Sequence, residues 1–294
     1  MSSREISGAT VLPLKDRYWP LIKSRQTFLL TLTGVAGYLC GRPFPMDWLQ
    51  FACLAGSLLF TIGGCTSLNM VFDRDIDGIM ERTHRRPLPA GQVGTGPASA
   101  LGGGLIAAGL LFALGLSGLF FALALAGVCL DMLVYTLWLK RRSAWSILWG
   151  GLAGGLPILA GRSLALGRID PAGLLLGLAI VCWIPSHNLT LGMLYSKDFL
   201  HAGVPVFLNV YGLSATHAAI TFSGLLTWLA VTGAFARIGP SLPAQIILGL
   251  SGLGLLGLAV YAWARSSRRL ILVLYKYSSI YLLAVMLLLG FEAF

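Results

Sequence analysis

Long apolar runs recur along this 294-residue chain almost from end to end. A run of about 20 apolar residues is long enough to cross the hydrocarbon core of a bilayer as a helix. Only helices and closed barrels satisfy their backbone polar groups inside lipid, so the pattern predicts an all-α integral membrane protein with nine transmembrane helices. The predicted spans cover roughly residues 26–42, 47–68, 97–115, 117–138, 144–161, 171–194, 213–236, 243–264 and 271–291.

The connections between these runs are too short to hold a separate soluble domain. We therefore predict a single transmembrane domain over residues 26–294. Residues 1–25 contain charges and prolines but no apolar core, so they are predicted to be a cytoplasmic segment and not a cleavable signal peptide. The composition agrees with this prediction, because 56% of the residues are hydrophobic and the mean hydropathy is +0.81.

The net charge of +10 could suggest a nucleic-acid partner, but the basic residues are distributed unevenly between loops. With the N-terminus placed inside, sixteen of the 21 Lys and Arg residues fall on the inner side and four on the outer side. Basic residues accumulate in the cytoplasmic loops of membrane proteins. The distribution of charge therefore predicts how the protein is oriented in the membrane, and it does not indicate a nucleic-acid partner. The prediction is a multi-pass protein of the cell or inner membrane, with a cytoplasmic N-terminus and an outer C-terminus.

One cytoplasmic segment, "NMVFDRDIDGIMERTHRRPLPAG" at 69–91, gathers charge of both signs. Asn69, Asp73 and Asp77 are four residues apart, which places them on one face of a helix, whereas Asp75 points away. Carboxylate and amide oxygens are the ligands that Mg²⁺ prefers, and substrate phosphates often complete its coordination. The segment therefore predicts a magnesium site at the cytoplasmic face.

Arginines follow these acids closely and could bind phosphate oxygens: Arg82, Arg85 and Arg86. Acids that hold a metal beside arginines that hold phosphate would form a diphosphate site. The alternative is a salt-bridged helix end that only anchors the topology. It accounts for Arg74, Asp75 and Glu81, but poorly for three polar residues on one face at a membrane boundary.

Two other polar segments have the same cytoplasmic position. The loop at 195–205 contains Lys197 and Asp198, and the basic patch at 135–145 contains Lys140 and Arg141, which could anchor topology or reach a diphosphate. Together with 69–91, these segments would meet over a central cavity, with an active site at the cytoplasmic face. Within the predicted spans, His187 is either a structural hydrogen-bonding residue or a functional one, and the roles of Asp131 and Lys276 stay open.

The pattern Asn69-x₃-Asp73-x₃-Asp77, followed by "ERTHRRPLPAG", resembles the first aspartate-rich motif of the UbiA superfamily of intramembrane prenyltransferases. Two further stretches, 135–161 and 184–212, resemble the haem O synthase branch of that superfamily, and 21–38 is similar to its opening Lys-Pro-Arg segment. Ala202 stands where a second Asp-x₃-Asp pair of the quinone-type members would end.

The resemblance implies that farnesyl is transferred from farnesyl diphosphate to a vinyl group of haem B, with Mg²⁺ as cofactor and lipids around the enzyme. It implies three sets of residues. The metal would be held by Asn69, Asp73, Asp77 and Asp198. The diphosphate would be bound by Arg25, Arg82, Arg86, Lys140, Arg141 and Lys197. The acceptor would contact His187 and Tyr195. The catalytic set would be Asp73, Asp77, Lys140, His187 and Asp198.

Three alternatives remain at the level of the sequence. Ser186, Asn188 and Tyr195 replace the residues usual in haem O synthases, so an aromatic, quinone-precursor or other lipid acceptor is the main alternative. A terpene cyclase of the same superfamily would ionise a prenyl diphosphate without any acceptor. A secondary transporter would also contain membrane-embedded acids, but its sites usually lie at the midplane of the bilayer and not at one face.

Overall fold

The computed structural model describes residues 13–41 and 45–292. Its α-helices are α1 (Leu14–Tyr18), α2 (Ser24–Leu39), α3 (Trp48–Phe72), α4 (Arg74–Ile79), α5 (Thr95–Leu116), α6 (Gly118–Cys129), α7 (Ser146–Leu166), α8 (Pro171–Leu194), α9 (Ser196–His201), α10 (Phe207–Ile238), α11 (Leu242–Arg265) and α12 (Arg268–Phe291). A 3₁₀ turn precedes α2, and a π-helix, Leu130–Leu139, continues α6. Residues 1–12 lie outside the described residues, so the predicted cytoplasmic segment stays a prediction.

Eight of the described helices are long and apolar enough to cross a membrane: α3, α5, α6 with its π-helical continuation, α7, α8, α10, α11 and α12. They confirm the predicted all-helical, multi-pass integral membrane protein. The first predicted span, 26–42, corresponds to α2, which has 16 residues. Such a helix is only about 24 Å long. The count of nine spans therefore stays a prediction.

Several boundaries differ from the prediction. Helix α7 continues to Leu166, beyond the predicted end of the span at residue 161, so Arg162 lies inside the helix. Helix α10 begins at Phe207 and contains a kink at Gly212, whose φ of 81° suits a residue without a Cβ. The polar loop at 195–205 contains the short helix α9.

The long helices are arranged as a ring in chain order, because successive helices pack together and α12 packs back against α2. Contacts between α2 and α7, and between α8 and α12, cross this ring. Glycines allow the closest of these approaches: a Cβ added to Gly161 of α7 would collide with the carbonyl oxygen of Gly34 in α2. Small residues commonly bring membrane helices this close.

A buried ion pair closes one end of the bundle. Arg162 donates two hydrogen bonds to Asp170, at 2.8 and 2.9 Å, and one to the carbonyl oxygen of Cys40 at 2.9 Å. These contacts join α7, the start of α8 and the end of α2. Arg162 also lowers the pKa of Asp170. The end of the bundle opposite the predicted polar loops is therefore held by charge as well as by apolar packing.

Candidate active site at the polar end of the bundle

The acids of the 69–91 segment lie where α3 gives way to α4. Asp73 ends α3, yet its N–H still donates to Asn69 O at 2.9 Å, and Asp77 N–H donates to Asp73 O at 2.7 Å. The chain thus stays nearly helical across the junction. As the four-residue spacing predicts, Asn69, Asp73 and Asp77 share a buried side, with exposed fractions of 7%, 5% and 5%, whereas Asp75 is exposed.

Each of the two buried carboxylates has a cationic partner. Lys140 Nζ contacts Asp73 Oδ2, and Arg86 Nη1 lies 2.6 Å from Asp77 Oδ2. Burial acts against the charged form of Lys140, but Tyr135 and Asp73 outweigh it and raise its pKa. An unpaired buried carboxylate would be strongly destabilising, so the two cations compensate for the burial of these acids beside a membrane.

Arg141, predicted to bind diphosphate, is engaged elsewhere. It forms two hydrogen bonds of 2.7 Å to Asp75 and another to the carbonyl oxygen of Phe72. The hydrogen bonds from Arg141 lower the pKa of Asp75 to about 2. Arg141 therefore braces the α3–α4 junction from its exposed side and does not contact the buried acids.

The second polar loop meets the first. The backbone N–H of Arg82 donates to Asp198 Oδ2 at 3.3 Å, and the Arg82 guanidinium lies 5.2 Å from the centre of the Tyr195 ring. Apolar contacts support this junction, because Ile76 and Met80 form one cluster with Val204. Within residues 13–41 and 45–292, however, His, Cys, Asp and Glu side chains form no group of three or more that could hold a metal. Asp198 is thus near the first loop, but it is not assembled with Asp73 and Asp77.

Three other predicted site residues lie outside this cluster. Arg25 and Lys197 are exposed, and the side chain of neither is hydrogen-bonded or ion-paired with another described residue. His187 lies between α8 and α12, stacked between Trp183 at 4.6 Å and Tyr275 at 4.4 Å. Its Nδ1 is 3.0 Å from Ser278 Oγ. Ser278 also lines a mainly apolar crevice, with Ser186, Ile220 and Leu274, that is too narrow to hold a water molecule.

The structure adds residues that the sequence did not indicate as part of the site. Lys23, one of the sixteen basic residues on the predicted inner side, occupies the turn before α2 with a φ of 41°. Burial, together with the positive charges of Lys140 and Arg86, lowers its pKa to about 8.

Asp131, whose role stayed open, accepts a hydrogen bond of 3.1 Å from Asn69 Nδ2, and Thr136 donates to Asn69 Oδ1. Lys276 is exposed on α12.

The sequence profile of the UbiA prenyltransferase family matches residues 29–289. The chain belongs to this family. Two solved structures share the fold of this UbiA prenyltransferase. A digeranylgeranylglyceryl phosphate synthase superposes with a TM-score of 0.79 at 18% identity, covering 95% of this chain and 98% of its own. A UbiA homologue from Archaeoglobus fulgidus, bound to GPP and Mg²⁺, superposes with a TM-score of 0.71 at 14% identity, covering 93% and 99%.

Curated relatives agree with the family. A protoheme IX farnesyltransferase from Thermofilum pendens is 39% identical over 217 residues, covering 73% of this chain and 76% of its own length. One from Pyrobaculum neutrophilum is 34% identical over 279 residues, covering 94% and 99%. The prediction of an alkyl-transferring prenyltransferase is therefore confirmed, and this UbiA prenyltransferase is an enzyme of the membrane.

Proposed function

We propose that this enzyme transfers farnesyl from farnesyl diphosphate to a vinyl group of haem B, forming haem O, with Mg²⁺ as its cofactor. The observation that carries the proposal is the similarity to protoheme IX farnesyltransferases over most of the chain, at 34–39% identity. His187 lies among aromatic side chains of α8 and α12, an apolar surrounding that suits an apolar acceptor.

The chemistry of the buried oxygen atoms fits a hard dication. Asn69, Asp73 and Asp77 lie on one buried side at the polar end of the bundle, and we propose that they hold Mg²⁺, with Asp198 contributing from the second loop. When bound, Mg²⁺ supplies charge neutralisation for a diphosphate leaving group. The similarity to a UbiA homologue whose structure contains GPP and Mg²⁺ supports this assignment.

Basic side chains of the protein would stabilise the rest of the negative charge on the diphosphate. Lys140 and Arg86 contact the acids and would bind phosphate oxygens of the substrate, with Lys23 and Arg82 beside them. Fixed positive charges stabilise the negative charge that grows on the diphosphate as the carbon–oxygen bond breaks. The allylic carbocation left behind is protected from water by the apolar helices.

Bond formation follows from that cation. Its C1 atom joins the terminal carbon of the haem vinyl group, the positive charge moves to the carbon next to the pyrrole ring, and water adds there with loss of a proton. We propose that His187 and Tyr195 position the acceptor. Stacking between Trp183 and Tyr275 fixes the His187 ring and covers both of its faces, so the ring would meet the acceptor with its edge.

The direct test supplies purified enzyme with haem B, farnesyl diphosphate and Mg²⁺, and detects hydroxyethylfarnesyl haem by mass spectrometry. Asp73→Asn serves as the inactive control. Prenylation of a quinone precursor without any modified haem would move the enzyme to the quinone-type branch. A cyclised hydrocarbon formed from farnesyl diphosphate alone would identify a terpene cyclase instead.

A further inference from the structure

We propose that Tyr195 is a positioning residue for Arg82: its ring holds the guanidinium near the diphosphate and leaves the N–H groups free to bind phosphate oxygens. The inference rests on the proposed function, in which Arg82 lies beside the diphosphate, and it adds to the proposed contact between Tyr195 and the acceptor. Its basis is a contact between the two polar loops, in which the guanidinium carbon of Arg82 lies over the Tyr195 ring, 5.2 Å from its centre. A cation within about 6 Å of the centre of an aromatic ring is attracted by the electrons of its face.

Arg82 is held differently from the other basic side chains at this end of the bundle. Arg86, Lys140 and Arg141 each donate to a carboxylate. The side chain of Arg82 forms no hydrogen bond or ion pair within residues 13–41 and 45–292. Attraction by an aromatic face requires no oxygen acceptor, so Tyr195 can restrain Arg82 while its charge and its five N–H donors stay available.

The backbone fixes both members of this contact. Tyr195 lies where α8 ends and α9 begins: its N–H donates to Leu191 O at 3.1 Å, and its carbonyl oxygen accepts from Phe199 N–H at 3.2 Å. Asp198 follows three residues later, and residues three apart are neighbours on a helix surface. Asp198 accepts from the Arg82 backbone N–H at 3.3 Å. The second loop therefore holds Arg82 both at its backbone and at its side chain.

The guanidinium of Arg82 lies near the acid–cation pair of the first loop. Partial burial and the positive charge of Arg86 lower the pKa of Arg82, whereas the negative charges of Asp77 and Asp198 act in the opposite direction. Charges influence each other in this way only over short distances in salt solution, so Arg82 is close to the Asp77–Arg86 pair. A flexible arginine loses rotamer freedom when it binds a ligand, and restraint in the free enzyme reduces that loss.

The test measures binding of a sulfur-bridged farnesyl diphosphate analogue that does not ionise. Isothermal titration calorimetry is done on the full-length enzyme in detergent, with Mg²⁺ and without any acceptor. Tyr195→Leu removes the aromatic face, and we expect the dissociation constant to rise about five-fold. Tyr195→Phe keeps the face and should bind within about two-fold of the wild type. Tyr261→Leu makes the same change at an exposed tyrosine of α11 and should leave binding unchanged.

Arg82→Ala shows whether Tyr195 acts through Arg82. Loss of a charged hydrogen-bond donor should weaken binding of the analogue by about ten-fold or more. In that background Tyr195→Leu should cause no further loss, because no guanidinium is left to orient. A further five-fold loss in the Arg82→Ala background would overturn the inference, since Tyr195 would then act on the analogue or on the fold directly.

The outcomes separate this inference from the proposed function. If the wild-type enzyme does not bind the analogue, the proposed prenyl transfer fails together with the inference. If Arg82→Ala binds as well as the wild type, Arg82 is not a diphosphate ligand and the inference fails. If Arg82→Ala weakens binding but Tyr195→Leu does not, only the positioning role fails. Thermal melting shows whether each variant is folded, and Tyr195→Met repeats the removal of the ring if Tyr195→Leu is unstable.

Discussion

Asp73, Asp75 and Asp77 differ more in their surroundings than in their chemistry. Asp73 and Asp77 are 5% exposed and each contacts a cation, whereas Asp75 faces outward and is held by Arg141. Exposed ion pairs contribute little to stability, and removal of one partner from a buried pair is costly. The same substitution should therefore have different consequences at the three positions.

We expect Asp73→Asn or Asp77→Asn to reduce turnover by at least about 10²-fold, because each removes a proposed metal ligand and leaves a cation unpaired. Asp75→Asn should stay within about three-fold of the wild type, because its pair with Arg141 is exposed. Steady-state prenyl transfer at saturating Mg²⁺ measures both. Equal losses in all three variants would contradict the assignment of the buried face.

We predict that the titration of Lys23 lowers the activity of the enzyme at alkaline pH. Its pKa is lowered from 10.5 to about 8, so the free enzyme loses this positive charge as the pH rises through about 8. Since a diphosphate is bound better by the charged form, kcat/KM for the prenyl diphosphate should fall above that pH. Lys23→Arg keeps its charge and should move the fall to higher pH. Superimposable pH profiles for the two proteins would exclude Lys23 from the diphosphate site.

The shared face of Asn69, Asp73 and Asp77 could be predicted from the sequence, because helical periodicity sets the direction of side chains along one element. The place of Lys23 in the site could not be predicted, because it belongs to a different segment and only tertiary packing brings it near Lys140 and Arg86. His187 shows the same limit, since its partners on α12 are more than eighty residues away in sequence.

At the scale of elements, the approach of α2 and α7 depends on the absence of side-chain atoms. Gly161→Ala adds a Cβ that would overlap Gly34 O, so the two helices have to move apart. Overpacking of this kind typically costs about 1–3 kcal/mol, which should appear as a lower melting temperature in detergent.

Gly104→Ala in α5 is the matched control for that change. No atom lies within 4 Å of a Cβ added there, so the variant should be more stable by about 0.5–1 kcal/mol through its lower backbone entropy in the unfolded chain. Equal melting temperatures for the Gly161 and Gly104 variants would mean that the α2–α7 contact is not tightly packed.

The apolar runs predicted the spanning helices well but not their internal irregularities. The kink at Gly212 and the π-helix at Leu130–Leu139 leave the hydropathy pattern unchanged, because every face of such a span is apolar. The position of Asp131 relative to Asn69 depends on this change of helical register. Sequence alone therefore identified a charged residue in a span without identifying its partner.

At the scale of the whole molecule, we propose that the polar end of the bundle faces the cytoplasm. The prediction follows from the excess of Lys and Arg at this end, which orients membrane proteins. In a background without the five native cysteines, His84→Cys should react with an impermeant maleimide only from the cytoplasmic side. Arg168→Cys, also exposed, should react only from the opposite side. Reaction of both from the same side would refute the topology.

In the two acid–cation pairs, Asp73 with Lys140 and Asp77 with Arg86, the charge of each acid is matched by that of its partner. A lone dication would have to displace the cations, and a lone polyanion would have to displace the acids, so each alone is opposed by the pairs already present. A dication and a polyanion that arrive together satisfy both halves of the pairs at once. The resting enzyme should then respond to the concentration of the magnesium–diphosphate complex, and the re-formed pairs would favour the departure of magnesium pyrophosphate after each turnover.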